Sequence, residues 1–156
     1  MFKKIVALEI EFLFYSKRFI TCQVGIIFLM ETVIISLGGS VLAPSQIDVD
    51  FLHSFRRLIL KFVHDGYRFV IICGGGKTAR EYQNAARKVV NAVPEDLDWL
   101  GIHATRLNAH LLRTIFREAA YPKVIKNPNE KIKLKASDRV VVAAGWKPGR
   151  STDYIA

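Results

Sequence analysis

Arg68-Phe69-Val70-Ile71-Ile72-Cys73-Gly74-Gly75-Gly76-Lys77-Thr78-Ala79-Arg80 decides the fold. The first six residues form a continuous apolar, partly β-branched run closed by three glycines. Such a run predicts a buried strand. Residues 77–90 then place Ala79, Tyr82, Ala85, Ala86 and Val89 along one side of a helix. The unit is strand, glycine loop, helix.

The same grammar repeats on either side. Residues 32–37 (T-V-I-I-S-L) read as a second buried strand, stopped by Gly38-Gly39. Residues 48–65 carry Phe51, Leu52, Phe55, Leu58, Ile59, Phe62 and Val63 at helical spacing, with Gly66 as C-terminal cap. Residues 94–120 read as a long helix with a stripe of Leu100, Ala104, Leu107, Leu111 and Ile115. Residues 139–144 form a further strand, and a helix is expected from Ser151 or Thr152. The basic segment 123–135 reads as a solvated connection of weak structure. Strands alternating with helices predict an α/β fold with a mainly parallel sheet flanked by helices. A doubly wound sheet normally has more strands, so the domain is expected to be incomplete at its C-terminus.

Composition fits one domain. The chain has 156 residues, 51% of them apolar, with 23 basic and 14 acidic side chains, a net charge of +9. That excludes a disordered chain and favours a phosphate-bearing partner. Cys22 and Cys73 are too few for a disulfide framework and do not form a C-x-x-C pair. His53, His64, His103 and His110 lack metal-ligand spacing, so no metal site is expected on them. Residues 1–29 are apolar apart from a few charges, and 19–30 is too short to span a bilayer. They read as an extension outside the domain, which then runs over 30–156; a membrane anchor is the alternative. Without them the charge is still +7 (19 basic minus 12 acidic), so the basic character belongs to the domain.

Three glycine-bearing loops carry the chemistry, each after the carboxyl end of a strand, where open α/β sheets bind ligands. They are Gly38-Gly39-Ser40, Gly74-Gly75-Gly76-Lys77-Thr78-Ala79-Arg80, and Gly145-Trp146-Lys147-Pro148-Gly149-Arg150-Ser151-Thr152-Asp153. Glycine lets backbone N–H groups approach an anion, and a following helix N-terminus adds a favourable dipole. Lys77, Arg80, Lys147 and Arg150 add full charges. Lys77 and Arg80 are expected in a first helical turn, where a cation opposes the dipole unless an anion is bound. A Walker A loop fails, because its first glycine would fall at Ile71. A dinucleotide fingerprint fits as Gly74, Gly76 and Ala79, with Glu95, Asp96 and Asp98 downstream. It leaves the first and third loops unexplained.

At I-S-L-G-G-S-V-L (35–42), C-G-G-G-K-T-A-R-E-Y (73–82), D-W-L-G-I-H-A-T-R-L-N-A (98–109) and G-W-K-P-G-R-S-T-D (145–153) the chain resembles the amino acid kinase family, and within it the archaeal-type UMP kinases. The resemblance runs from about residue 31 to residue 156. It implies transfer of the γ-phosphoryl group of ATP, with Mg2+, to UMP in pyrimidine nucleotide synthesis. It implies Ser36, Leu37, Gly38, Gly39, Ser40, Gly76 and Arg80 on the ATP side. It implies Gly75, Asp98, Trp146, Lys147, Pro148, Gly149, Arg150, Ser151 and Thr152 on the UMP side. It further implies a cytoplasmic homo-oligomer, hexameric in the family, with no nucleic-acid or membrane partner.

Two departures stand out. Where many members carry a lysine in the first strand, this chain has Ser36, which shifts the cationic role to Lys77 or Arg80. The family's adenine-binding half would follow Ala156, so the 156 residues alone are expected to turn over poorly. The alternatives are another family member with a different phosphate or carboxylate acceptor, and a nucleotide-binding module without catalysis. Among single residues, Asp98 is a ligand or a helix N-cap. Arg106 and Asn108 are surface residues or supports of the acceptor loop. Trp146 contacts a ligand or subunit, or packs on the core.

Overall fold

The computed structural model describes residues 31–149 and the two short strands Thr21–Cys22 (β1) and Gly25–Ile26 (β2). The chain divides into two compact units, Met1–Met30 and Glu31–Ala156. In the first, β1 and β2 pair antiparallel. The rest of the apolar extension, and the helix expected from Ser151 or Thr152, lie outside the described residues.

The second unit runs β3 (Thr32–Leu37), α1 (Gly39–Leu42), α2 (Val49–His64), β4 (Arg68–Cys73), α3 (Gly76–Val89), α4 (Pro94–Ile115) and β5 (Val140–Ala143). The three strands form a parallel sheet of order β3-β4-β5. Ile34 lies opposite Val70, and Val70 opposite Val141. This is an α/β fold with helices against a parallel sheet. Every residue of β5 is buried, as are Phe69, Ile71, Ile72 and Cys73 of β4. Continuous apolar runs of this kind mark strands covered on both faces.

The helix boundaries have local causes. Asp48 caps α2 by accepting a 2.9 Å hydrogen bond from the Phe51 N–H, and Gly66 ends that segment with φ +98°. Leu52, Phe55 and Ile59 form the buried stripe of α2. Pro94 starts α4, where its missing N–H costs nothing. No helix of the described residues is long and apolar enough to cross a membrane.

The structure differs from the sequence reading in four places. First, α4 ends at Ile115 and does not reach residue 120. Phe116 is fully buried, and Ala120 is drawn into a parallel bridge with Val140, so sheet pairing overrides the helical pattern. Second, the basic connection is not wholly solvated. Val124 is buried, and Ile125 exchanges backbone hydrogen bonds with β5, its N–H to the Val142 carbonyl and its carbonyl to the Ala144 N–H, both at 2.9 Å. Third, α3 buries Ala79 but leaves Tyr82 63% and Val89 82% exposed, so its expected apolar side is largely uncovered within this chain. Fourth, the buried stripe of α4 is displaced by about one residue, with Leu107 64% exposed.

Cys73 ends β4 with no exposed surface, and burial pushes its thiol from 9.0 to about 12. The folded chain keeps a proton that the unfolded chain releases above pH 9. The stability linked to Cys73 is therefore intact below pH 9 and is lost as pH rises toward 12. Iodoacetamide should leave Cys73 unmodified in the native chain and alkylate it readily in urea. Rapid native alkylation, read by peptide mass mapping, would contradict the sealed position.

Candidate functional site

Because β3, β4 and β5 run parallel, their carboxyl ends bring the three glycine loops to one sheet edge. The first two loops are in backbone contact. The Gly74 N–H donates to the Leu37 carbonyl at 2.9 Å. A Cβ on Gly39 would stand 2.4 Å from the Gly76 nitrogen, and one on Gly76 would stand 2.2 Å from the Gly39 carbonyl carbon. Glycine at both positions is a packing requirement. Gly76 has φ +62°, which side-chain-bearing residues rarely adopt.

A cleft of about 490 Å³ opens between the second loop, α4 and the third loop. That volume suits a small-molecule ligand. Gly75, Gly76, Ala79, Arg80 and Gln83 form one wall, and Gly145, Lys147, Pro148 and Gly149 the opposite one. Asp98, Gly101, Ile102 and Thr105 of α4 lie between them. Seven residues expected at the site thus share one cleft: Gly75, Gly76, Arg80, Asp98, Lys147, Pro148 and Gly149. Ser36, Leu37, Gly38, Gly39, Ser40 and Trp146 do not line it. The Leu37 side chain is buried, and the first loop stands against the second. Arg150, Ser151 and Thr152 lie outside the described residues.

The charges are arranged around this cleft. Arg80 and Lys147 are its cations and Asp98 its carboxylate. Lys77, one turn from Arg80, pairs with Glu81 at 3.5 Å. Arg80 reaches back to the first loop, its guanidinium donating to the Ser40 hydroxyl at 3.3 Å. It is the fifth residue of α3, just past the first turn, so it opposes the helix dipole less than the sequence suggested. Gly75 is the N-cap of α3, and no side chain caps the first N–H groups there. Open N–H groups at a helix start, with arginine nearby, form an anion-binding corner.

Asp98 is not an N-cap. Val93 holds that position, and Asp98 sits in the second turn of α4 with its carboxylate accepting from the Gly149 N–H at 2.8 Å. It holds the third loop with one oxygen. Trp146 is half-buried, with the Lys147 ammonium 4.4 Å from its ring centroid. Arg106 and Asn108 are supports rather than surface residues: each donates to a loop carbonyl, Arg106 to Gly145 and Trp146, Asn108 to Gly74.

Gln83, Gly101, Ile102 and Thr105 are the cleft residues that the sequence reading missed. Gly101 carried a usable signal, since a glycine inside a helix marks a close backbone approach. A Cβ on Gly75 would stand 3.2 Å from the Gly101 carbonyl. Gln83 donates to the Leu97 carbonyl at 2.8 Å, tying α3 to α4, and nothing in its sequence position announces this.

Two chemistries can be tested on this geometry. The dinucleotide fingerprint requires its acidic residue at the end of a second strand. Here the element after α3 is a helix, and Glu95, Asp96 and Asp98 lie in its first two turns, so that context fails. Magnesium needs several oxygen ligands in near-octahedral array. The three loops offer no carboxylate over 38–40, 74–80 and 145–149, and the described residues hold no group of three or more His, Cys, Asp or Glu able to bind a metal. Magnesium carried by a nucleotide draws most of its ligands from phosphate oxygens and water.

Comparison with known proteins bears on the same residues. The family model described as amino acid kinase family matches residues 31–156. A uridylate kinase of Pyrococcus abyssi is 40% identical over 123 residues, 79% of this chain and 54% of the relative. One of Sulfurisphaera tokodaii is 43% identical over 104 residues, 66% of this chain and 45% of the relative. The crystal structure of uridylate kinase from Archaeoglobus fulgidus matches with a TM-score of 0.66 at 37% identity, covering 80% of this chain and 54% of that one. The chain thus spans about half the length of the curated relatives it matches. With the parallel sheet, the interlocked glycine loops and a matching family model over residues 31–156, the chain belongs to the amino acid kinase family.

Proposed function

We propose that the cleft serves phosphoryl transfer from ATP to UMP, giving UDP, with UMP held between Asp98 and the third loop. The observation that carries this reading is the single cleft walled by two glycine loops, with Arg80 and Lys147 as cations and Asp98 as carboxylate. The uridylate kinase names of the relatives support it. In the proposed reaction an oxygen of the UMP phosphate attacks the γ-phosphorus of ATP. The bond from that phosphorus to the β,γ-bridging oxygen breaks, and ADP leaves. Such a step needs alignment and neutralisation of anionic oxygens more than covalent help. Arg80 and the open N–H groups of α3 supply these on the ATP side, and Lys147 on the acceptor side. The free oxygen of Asp98 would accept from ribose hydroxyls while its other oxygen keeps Gly149 in place. Self-association belongs to the same reading. Tyr82 and Val89, two helical turns apart on α3, leave an apolar flank exposed.

Calorimetric titration tests the substrate class: UMP, UDP and UTP against an acyl amino acid, a simple organic phosphate and NAD. Uridine nucleotides should bind and the others should not. Preference for another acceptor would replace this reading by a different family activity. Asp98→Asn should weaken UMP about ten- to hundred-fold, the worth of one charge-assisted hydrogen bond, and leave ATP nearly unchanged. Equal losses on both ligands would make Asp98 a structural residue.

Arg80→Gln separates binding from stability. With its guanidinium 3.3 Å from one serine hydroxyl and its place past the first turn, Arg80 should add less than about 0.5 kcal/mol to the ligand-free fold. ATP binding should fall about tenfold or more, because a cation facing phosphate is lost. A lower melting temperature with unchanged ATP affinity would reverse the assignment.

A further inference from the structure

The buried face of α4 carries two polar side chains where a purely structural helix would carry apolar ones. Thr105 is 6% exposed and Asn108 is 3% exposed. They lie three residues apart, so they are neighbours on one face. Each reaches a different wall of the cleft.

The Thr105 hydroxyl has one proton, and it is committed to the Ile102 carbonyl at 2.7 Å. The oxygen is then left as an acceptor, and the Gly145 N–H donates to it at 2.8 Å. The next residue, Arg106, holds the two following carbonyls of the same loop. Its Nε donates to the Gly145 carbonyl at 3.3 Å and its Nη2 to the Trp146 carbonyl at 3.0 Å. One turn further along, the Asn108 amide donates to the Gly74 carbonyl at 2.8 Å and approaches the Gly75 carbonyl at 3.5 Å. A trans peptide is planar, so fixing the Gly74 carbonyl also fixes the Gly75 N–H on its opposite side. The third loop and the second loop are thus both bonded to a single turn of one rigid helix.

We propose that Thr105, Arg106 and Asn108 are positioning residues that set the distance and orientation between the two walls of the cleft, so that a ligand on one loop meets the other loop in fixed register. This rests on the nucleotide reading of the cleft for its purpose, but not for its geometry. Loops joined only through their strands could shift independently, and misplacement of about 1 Å between reacting groups is costly in rate. Hydrogen bonds from one buried turn remove that freedom. They also explain why the face tolerates polar groups: each buried polar atom named here has its partner on a loop or in the helix itself.

The test uses the full 156-residue chain. Amide hydrogen exchange at Gly75, Gly76 and Gly145 is measured by NMR, with UMP and ATP titrations and melting temperatures beside it. Thr105→Val keeps the shape and removes the acceptor. It should speed exchange at Gly145 about tenfold, the factor for one lost hydrogen bond, and Thr105→Ser should restore the protection. Asn108→Asp replaces the donor by an acceptor facing two carbonyls. It should move the Gly75 and Gly76 resonances and weaken both nucleotides about tenfold. Arg106→Gln changes a half-exposed residue outside the core and covers the case in which a buried variant does not fold. It should loosen the third loop and weaken UMP about threefold at an unchanged melting temperature. Wild-type exchange and affinity in Arg106→Gln and Thr105→Val would overturn the proposal, as would a Thr105→Ser chain that behaves like Thr105→Val. If the exchange changes occur as expected but UMP does not bind the wild-type chain, the brace stands and the reading of the cleft as a UMP site fails.

Discussion

Gly39→Ala is expected to destabilise the domain by on the order of 3 kcal/mol and to separate the first glycine loop from the second. The added Cβ would stand 2.4 Å from the Gly76 nitrogen, 2.5 Å from the Gly74 oxygen and 2.6 Å from the Gly75 carbonyl carbon. All three are backbone atoms, so no side chain can swing aside. Relief requires moving the end of β3 away from the end of β4, and the Gly74 N–H to Leu37 carbonyl bond would go with it. The cost is steric rather than conformational, since Gly39 does not have a positive φ. Gly38→Ala is the control. Its Cβ would meet nothing nearer than Val41 Cγ2 at 4.0 Å, and its φ of −59° suits alanine. Urea denaturation should therefore show Gly38→Ala close to wild type and Gly39→Ala far below it. Equal midpoints would mean that the two loops are not interlocked.

That interlock also marks where the sequence could be read and where it could not. The strands were legible because 32–37 and 68–73 are apolar runs ended by glycine, and the structure keeps those bounds as Thr32–Leu37 and Arg68–Cys73. The loops were legible for the same reason. What the sequence does not carry is which loop faces the cleft and which stands behind. Gly38-Gly39-Ser40 and Gly74-Gly75-Gly76 look alike as strings, yet Gly75 and Gly76 line the cleft while Gly39 is spent on packing against them. That distinction depends on the pairing of β3 with β4, a long-range fact. Asp98 was readable as a candidate through its motif; Thr105 lies in the same stretch without being singled out, and Gln83 lies in none of the quoted stretches. Their roles depend on the Leu97 carbonyl and the Gly145 N–H, each brought near only by the folded hairpin of α3 and α4 or by β5.

The displaced stripe of α4 supplies the sharpest stability contrast. A reading by hydrophobic residues selects Leu100, Ala104, Leu107, Leu111 and Ile115. The helix buries Leu97, Ile102, Ala104, Thr105, Asn108, Ala109 and Leu112, sharing only Ala104 with that stripe. The two sets differ by about one residue, roughly 100° of rotation on a helix. The cause is local: Thr105 and Asn108 face inward and bond a loop N–H and a loop carbonyl, and polar residues at inward positions turn a hydrophobicity pattern away from the true core. Leu112 has no exposed surface, and the following turn places Phe116, also fully buried, edge-on to Phe55 of α2 at 6.0 Å. An ion pair of Arg56 with Glu118, and the Arg56 Nε bond to the Ile115 carbonyl at 3.1 Å, fasten that end of α4 to α2. A cavity left there has little room to collapse. Leu112→Ala should therefore cost about 2–5 kcal/mol. Leu107, 64% exposed, should cost less than about 0.5 kcal/mol when changed to alanine, which is also the better helix former. Paired urea melts of the two variants decide between the stripes. A larger loss for Leu107→Ala than for Leu112→Ala would mean that α4 is rotated toward the hydrophobic pattern, and that Thr105 and Asn108 do not reach the loops at all.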